Sequence, residues 1–267
     1  MIIPGLQDTE HLREVVRCLD RISGMGHQRW RVFEDWVALM FHALQRDDPA
    51  YLEVMGRYGN DAPKGKREAD LFALAFAEIQ LHMRVTDREA LGPLYEEYAA
   101  GRHRGQFFTP WDVALMMGRM TAPRGRILDP ACGAGVMLLA GARAAIEEGG
   151  QEALAECEFW GQDVDLTCCM LTALNLTFFN LDGGVMWGNS LAMEVRAAWR
   201  TRSTPLGGEL FGIDPEPCRT ALSETMLERT QAAGDDIPAD PVDESIPTVD
   251  MPPRVPSGRP SLLEFMR

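Results

Sequence analysis

The chain has 267 residues, 46 % of them hydrophobic, with 26 Lys and Arg against 40 Asp and Glu for a formal net charge of −14. That length allows one sizeable core or two modest domains, and no apolar run approaches a membrane span or a signal-peptide layout, so a soluble, cytoplasmic protein is expected. The acidic balance argues against strong unassisted nucleic-acid binding, which needs cations facing phosphates, while leaving room for a local basic face or a basic partner.

The first hundred residues carry helical stripes. Leu12, Val15, Val16, Leu19 and Ile22 share one face, as do Phe33, Trp36, Val37, Met40, Phe41 and Leu44. Leu71, Phe72, Ala75, Phe76, Ile79 and Met83 form a third stripe, and Leu91, Leu94, Tyr95 and Tyr98 a fourth. A break is expected at Asp47-Asp48-Pro49 and another at 60–66. Residues 1–100 thus read as a helical domain whose aromatics are first of all core.

From residue 101 the texture changes. A small basic loop, Gly101-Arg102-His103-Arg104-Gly105, leads into Gln106-Phe107-Phe108-Thr109-Pro110. Thr109 suits a helix N-cap with Pro110 at the first helical position. Strand and helix signals then alternate: strand Ile127-Leu128, helix 136–146, strand 159–161, helix 166–180, strand 185–187. Repeated units of this kind imply a doubly wound, mostly parallel sheet with ligands at the carboxyl ends of its strands. A fourth short strand is expected at 210–213, ending at Asp214-Pro215-Glu216-Pro217, and one more helix at 220–231. The core therefore reads as 101–217, and 218–267 as a short helix with an acidic, Pro-rich tail expected to be disordered.

The six cysteines show no Cys-x-x-Cys spacing and no histidines at zinc-ligand spacing, so all six read as reduced thiols with no structural metal. The chemistry concentrates at the ends of the strands. Asp129-Pro130-Ala131-Cys132-Gly133-Ala134-Gly135 follows the first strand, and its Gly-x-Gly turn lets backbone approach a ligand closely. Asp163 ends the second strand, where a carboxylate can accept from two ribose hydroxyls. Asn189 ends the third, where it either meets an adenine edge or simply forms a turn.

Four ordered motifs, Gln106–Pro110, Asp129–Gly135, Gly161-Gln162-Asp163-Val164-Asp165 and Gly188-Asn189-Ser190-Leu191, resemble those of adenine-N6 DNA methyltransferases. The likeness is to the methylation subunits of Type I restriction-modification systems and to small phage- or plasmid-borne N-6 DNA methylases, over roughly residues 100–195. It implies a Rossmann-like S-adenosylmethionine-dependent methyltransferase core, cut short after the fourth strand and preceded by the helical domain. It also implies that Phe107, Phe108, Thr109 and Pro110 wall the methionine end of S-adenosyl-L-methionine. Asp129 to Gly135 would wrap the amino-acid moiety, with backbone groups from Ala131 and Cys132 and the turn at Gly133 and Gly135. Asp163 would hold the ribose, Val164 pack on the adenine, and Asn189, where the family usually has Asp, contact the adenine amino group.

The family's catalytic tetrapeptide is Asn or Asp, Pro, Pro, then an aromatic, whose acceptors orient adenine N6 and whose ring stacks on the flipped base. This chain has no such tetrapeptide. Its nearest candidate, Asp214-Pro215-Glu216-Pro217, keeps Asp214 and Pro215 but replaces the second proline by a carboxylate and the aromatic by proline. The resemblance therefore implies a DNA adenine-N6 methyltransferase acting with a partner specificity subunit, with Asp214 and Pro215 as catalytic candidates, and a homo- or hetero-oligomer is compatible with it. The alternative is a non-catalytic cofactor-binding partner or regulatory protein of a restriction-modification or mobile-element system. Methyl transfer to RNA, protein or a small molecule is a third, weaker reading.

Overall fold

The N-terminal stripes fold as a layer of helices. In a computed structural model of the chain, which describes residues 3, 5–59, 62–99 and 108–221, they are α1 (Glu10–Ser23), α2 (Arg29–Gln45), α3 (Asp48–Met55), α4 (Glu68–Thr86) and α5 (Leu91–Tyr98). The Thr9 hydroxyl accepts the Leu12 N–H and caps α1, whose stripe Leu12, Val15, Leu19 and Ile22 is buried. The expected break falls between α2 and α3, with Arg46 closing α2 in a left-handed conformation, and Asp48 and Pro49 already belong to α3. Asp47 accepts the Ala50 N–H at 3.2 Å, and Pro49 lies in the first turn, where its missing N–H costs nothing.

The second part alternates as expected, with one addition. It runs α6 (Trp111–Thr121), β1 (Arg126–Asp129), α7 (Val136–Ala155), β2 (Glu158–Asp163), α8 (Leu166–Phe178), β3 (Gly183–Trp187), β4 (Ala197–Arg202) and β5 (Glu209–Ile213). A single 3-10 turn, Ser190–Ala192, follows β3. Thr109 lies one residue outside its expected capping place, because α6 begins at Trp111 with Pro110 as cap. Helix α7 is longer than its apolar run, kinking where Gly149 and Gly150 leave helical backbone angles. Of the helix expected at 220–231, a helical run at 215–221 is described, starting earlier; the expected tail lies outside the described residues.

Strand order is β1-β2-β3-β4-β5. β1, β2 and β3 are parallel, and β4 and β5 form an antiparallel hairpin on β3, so β5 runs in the direction of β1. Both crossover helices lie on one face. Gly141 of α7 approaches Phe159, and Thr172 of α8 approaches Gly161, two residues further along the same face of β2. The described sheet is thus one half of a double winding, and its order never reverses. That leaves β1 at an edge, with Leu128 41 % exposed.

Helical layer and sheet share one core. Phe41 of α2 meets Trp199 of β4 edge-on at 5.2 Å, and Phe76 of α4 meets Phe178 of α8 at 5.9 Å. The described residues all fall in one compact unit, residues 1–226. On the opposite face Met186, Val195 and Ala198 form a small cluster with Trp160, Ile213 and Cys218. None of the helices among the described residues is long and apolar enough to cross a membrane.

Close strand approach makes one position unforgiving. A Cβ on Gly183 would lie 1.8 Å from the Phe159 carbonyl oxygen, a backbone atom that cannot move without breaking the β2–β3 ladder. Gly183→Ala is expected to lower unfolding free energy by roughly 2 kcal/mol or more in urea titration.

Candidate cofactor site

The site grows from the way β1 ends. After Asp129 the chain turns back to start α7, and two residues of the turn hold positive φ, Gly133 at 53° and Gly135 at 82°. Gly135 is constrained twice, since a Cβ there would also lie 2.9 Å from Thr172 Cγ2. Gly135 is the N-cap of α7 and offers no side-chain acceptor, so the first-turn N–H groups carry no capping side chain among the described residues. Such a terminus favours a carboxylate.

The turn is held from three sides. Asp129 Oδ1 accepts the Ala131 N–H at 3.1 Å. The Cys132 N–H donates to the Gln162 carbonyl at 3.0 Å, and the Gly133 N–H donates to Asp163 Oδ2 at 2.9 Å. Asp163 Oδ1 accepts the Asp165 N–H at 2.9 Å. From α8, the Thr172 hydroxyl donates to the Gly133 carbonyl at 2.8 Å and Asn175 Nδ2 to the Ala134 carbonyl at 2.7 Å. Cys132 packs its sulfur against Gly161, where a Cβ would come within 2.8 Å of it. Burial pushes the Cys132 thiol well above its ordinary pKa, which makes it a packing group and not a nucleophile.

Two carboxylates thus face the same short loop. Burial raises the Asp129 pKa above the ordinary carboxylate range, and the negative charge of Asp163 raises it further. An arrangement of this kind repels phosphate and attracts an ammonium or sulfonium. It is the reverse of what a dinucleotide pyrophosphate needs from a glycine turn.

The structure brings the first two motifs together. The Phe108 ring lies against the turn, with its Cε1 3.2 Å from the place of a Cβ on Gly133, and it meets Tyr95 edge-on at 5.7 Å. Phe107 lies outside the described residues; Thr109 and Pro110 lead from Phe108 into α6. Val164, beside Asp163, is 62 % exposed. Asn189 takes the turn-forming option: its Oδ1 accepts the N–H groups of Leu191 at 3.0 Å and Ala192 at 3.3 Å. The acceptor expected for an adenine amino group is therefore already engaged.

Asp214 and Pro215 are not brought to this loop. Asp214 follows β5, so three strands separate it from β1, and at the usual strand spacing the two lie roughly 19 Å apart. Its Oδ1 accepts the Glu216 N–H at 3.0 Å, capping the helical run at 215–221. Pro215, whose carbonyl was expected to accept from a base amino group, is the first residue of that helix.

Sequence reading missed Glu89, Thr172 and Asn175. Glu89 is fully buried and accepts the Gly92 N–H at 2.6 Å and Asn175 Nδ2 at 3.0 Å. The available signal was Thr172 and Asn175 interrupting an otherwise apolar helical run, three residues apart and hence on one face. Burial lifts the Glu89 carboxyl to about 7, against hydrogen bonds that favour its charged form.

That shift has a pH consequence. The folded state holds the Glu89 proton more tightly than the unfolded chain, so the contribution is fully present below the ordinary value of 4.5 and is lost as pH rises through about 7. Relative to Glu89→Gln, wild-type stability is expected to fall across that window by on the order of 3 kcal/mol, read from denaturant midpoints at a series of pH values. Gly135→Ala is expected to destabilise the fold through both its positive φ and Thr172 Cγ2, with partial recovery in the Gly135→Ala/Thr172→Ser pair, which removes that methyl group.

Residues 86–202 match the family model described as N-6 DNA Methylase. The chain is 31 % identical over 104 residues to the Type I restriction enzyme MpnII methylase subunit of Mycoplasma pneumoniae, a match covering 35 % of this chain and 18 % of that protein. It thus spans under a fifth of that curated relative's length. Among solved structures, it is similar to a type I restriction enzyme modification subunit from Vibrio vulnificus YJ016, at 24 % identity over 55 % of this chain and 32 % of that one, TM-score 0.38. It is also similar to a type I restriction-modification methyltransferase subunit from Streptococcus thermophilus, at 16 % identity over 70 % and 41 % of the two chains, TM-score 0.37. The chain thus resembles N-6 DNA methylases over residues 86–202, a range that includes the turn after β1 and the ends of β2 and β3.

Proposed function

We propose that this chain is the S-adenosyl-L-methionine-binding part of a DNA adenine-N6 methylation system. The observation that carries the reading is the pair of carboxylates around the glycine turn. Asp129, its pKa raised by burial, gains from a ligand ammonium, and the Asp163 carboxylate that already fixes Gly133 retains lone pairs for ribose hydroxyls. The uncapped start of α7 receives the ligand carboxylate, while Phe108, Thr109 and Pro110 wall its methionine end; Phe107, assigned to that wall by the resemblance, lies outside the described residues. Val164 packs on the adenine. Asn189 contacts adenine through Nδ2, which donates to a ring nitrogen, since its Oδ1 is engaged.

Orienting the target adenine is a separate task. Asp214 serves as a helix cap at the far side of the sheet, so acceptors for the adenine N6 hydrogens come from outside the described residues. A partner subunit supplies DNA recognition and phosphate contacts, which suits a net charge of −14. This reading also places the protein in the cytoplasm, with its DNA and methyl donor. The second reading, a cofactor-binding regulatory partner without catalysis, is favoured by the same placement of Asp214.

Transfer of tritiated methyl groups to DNA, with and without the proteins encoded beside this chain, tests the proposal. Label in N6-methyladenine is expected only with a partner present, abolished by Asp163→Ala and unchanged within about twofold by Asp214→Ala. Transfer by the isolated chain that disappears with Asp214→Ala would overturn the assignment of Asp214 as a cap. No transfer with any partner, despite cofactor binding, would leave the regulatory reading standing.

A further inference from the structure

Behind the glycine turn lies a polar cluster whose acid, Glu89, has so far been given no role toward the ligand. Glu89 immediately precedes the first turn of α5, and its Oε1 gathers two donors, the Gly92 N–H at 2.6 Å and Asn175 Nδ2 at 3.0 Å. Asn175 lies in the middle of α8, wholly buried, and the same Nδ2 donates to the Ala134 carbonyl at 2.7 Å. Its Oδ1 is buried with no hydrogen-bond partner among the described residues. The amide is therefore oriented by its donor side alone, by the two acceptors it bridges. Gly92 completes the contact from α5: a Cβ there would meet Ala134 Cβ at 3.0 Å, so the start of α5 is pressed onto the turn.

We propose that Glu89 is a positioning residue for the cofactor turn, acting through Asn175 to fix the Ala134 carbonyl and with it the backbone of Gly133–Gly135. Its carboxylate never touches the ligand. It ties the helical layer to the loop on which Asp163 and Thr172 also pull, so the loop is set by α5, α8 and β2 together. The nearby charge that acts on Glu89 is Glu96, on α5, and it disfavours ionisation as burial does. The consequence for ligand affinity rests on the reading of this loop as the S-adenosyl-L-methionine site; the consequence for loop order does not.

Two measurements on the full chain separate these levels. In calorimetry with S-adenosyl-L-methionine, Glu89→Ala and Asn175→Ala are each expected to weaken binding about tenfold, the scale of one lost buried hydrogen bond. The double variant should be no weaker than either single one, because both break the same link. Glu89→Gln should restore affinity to within about threefold, since a carboxamide oxygen accepts both donors. In hydrogen exchange without ligand, the peptide spanning 133–137 should exchange faster in Glu89→Ala and normally in Glu89→Gln.

Additive losses in the double variant, or a Glu89→Ala protein with wild-type affinity and loop exchange, would overturn the proposal. If Glu89→Ala does not fold, Asn175→Ala beside Glu89→Gln decides by the same two readouts. Wild type that binds no S-adenosyl-L-methionine would sink the functional reading, and loop exchange would then decide the role of Glu89 by itself.

Discussion

Everything at the site depends on one hydrogen bond, from the Gly133 N–H to the Asp163 carboxylate at 2.9 Å. It joins the turn after β1 to the end of β2, and it requires the positive φ that a glycine at 133 adopts without penalty. Once this bond is made, the Cys132 N–H reaches the Gln162 carbonyl, and α7 leaves the turn at Gly135 with its first amides free of a capping side chain. A carboxylate used in this way has a double role: it builds the loop and remains able to accept from a ligand. The same economy explains why Asp129 and Asp163 tolerate one another. Each charge is partly answered by backbone N–H groups, and the remainder is what an ammonium would answer.

The sheet sets the limits of the chemistry. With β1 to β3 parallel in sequential order, both crossover helices fall on one face, and β1 keeps a free edge among the described residues. The hairpin of β4 and β5 extends the sheet at the opposite edge. Asp214 therefore emerges at the same end of the sheet as the cofactor loop but across its full width, where it caps a helix. The local likeness to a catalytic motif and the place of its strand, at the opposite edge from β1, thus point in different directions. Under the proposed function the tasks divide by topology, with donor binding assigned to the turn after β1 and base handling to groups other than Asp214.

Much of this was legible in the sequence because it is local. Glycines at 133 and 135, the acid ending β2 and the apolar stripes of α1, α2 and α4 each reflect a constraint that acts within a few residues. What stayed hidden was nonlocal. Strand β4 reads Ala-Ala-Trp-Arg-Thr-Arg, and its arginines mask the alternation; only the fold shows Arg200 standing over Trp160 at 5.3 Å and Trp199 meeting α2. Asp47-Asp48-Pro49 marked the interruption between α2 and α3 correctly, but a cap and a proline in a first turn have the composition of a loop, so the restart of the helix at Asp48 was not legible. The position of Asp214 needed strand order, which no local signal encodes. Asn175 was hidden in an apolar run, and its link to Glu89, 86 residues earlier, exists only in the folded chain.

The turn after β1, held by Asp163, is proposed as a binding site for a methionine-bearing nucleoside. Calorimetric titration of the full chain with S-adenosylhomocysteine and with S-adenosyl-L-methionine, beside Asp163→Asn, tests it most directly. Asp163→Asn keeps one acceptor and the side-chain shape, so the fold is expected to persist while affinity for both ligands drops about tenfold or more. Equal affinity of wild type and Asp163→Asn, or no binding of either ligand by folded wild type, would contradict the account.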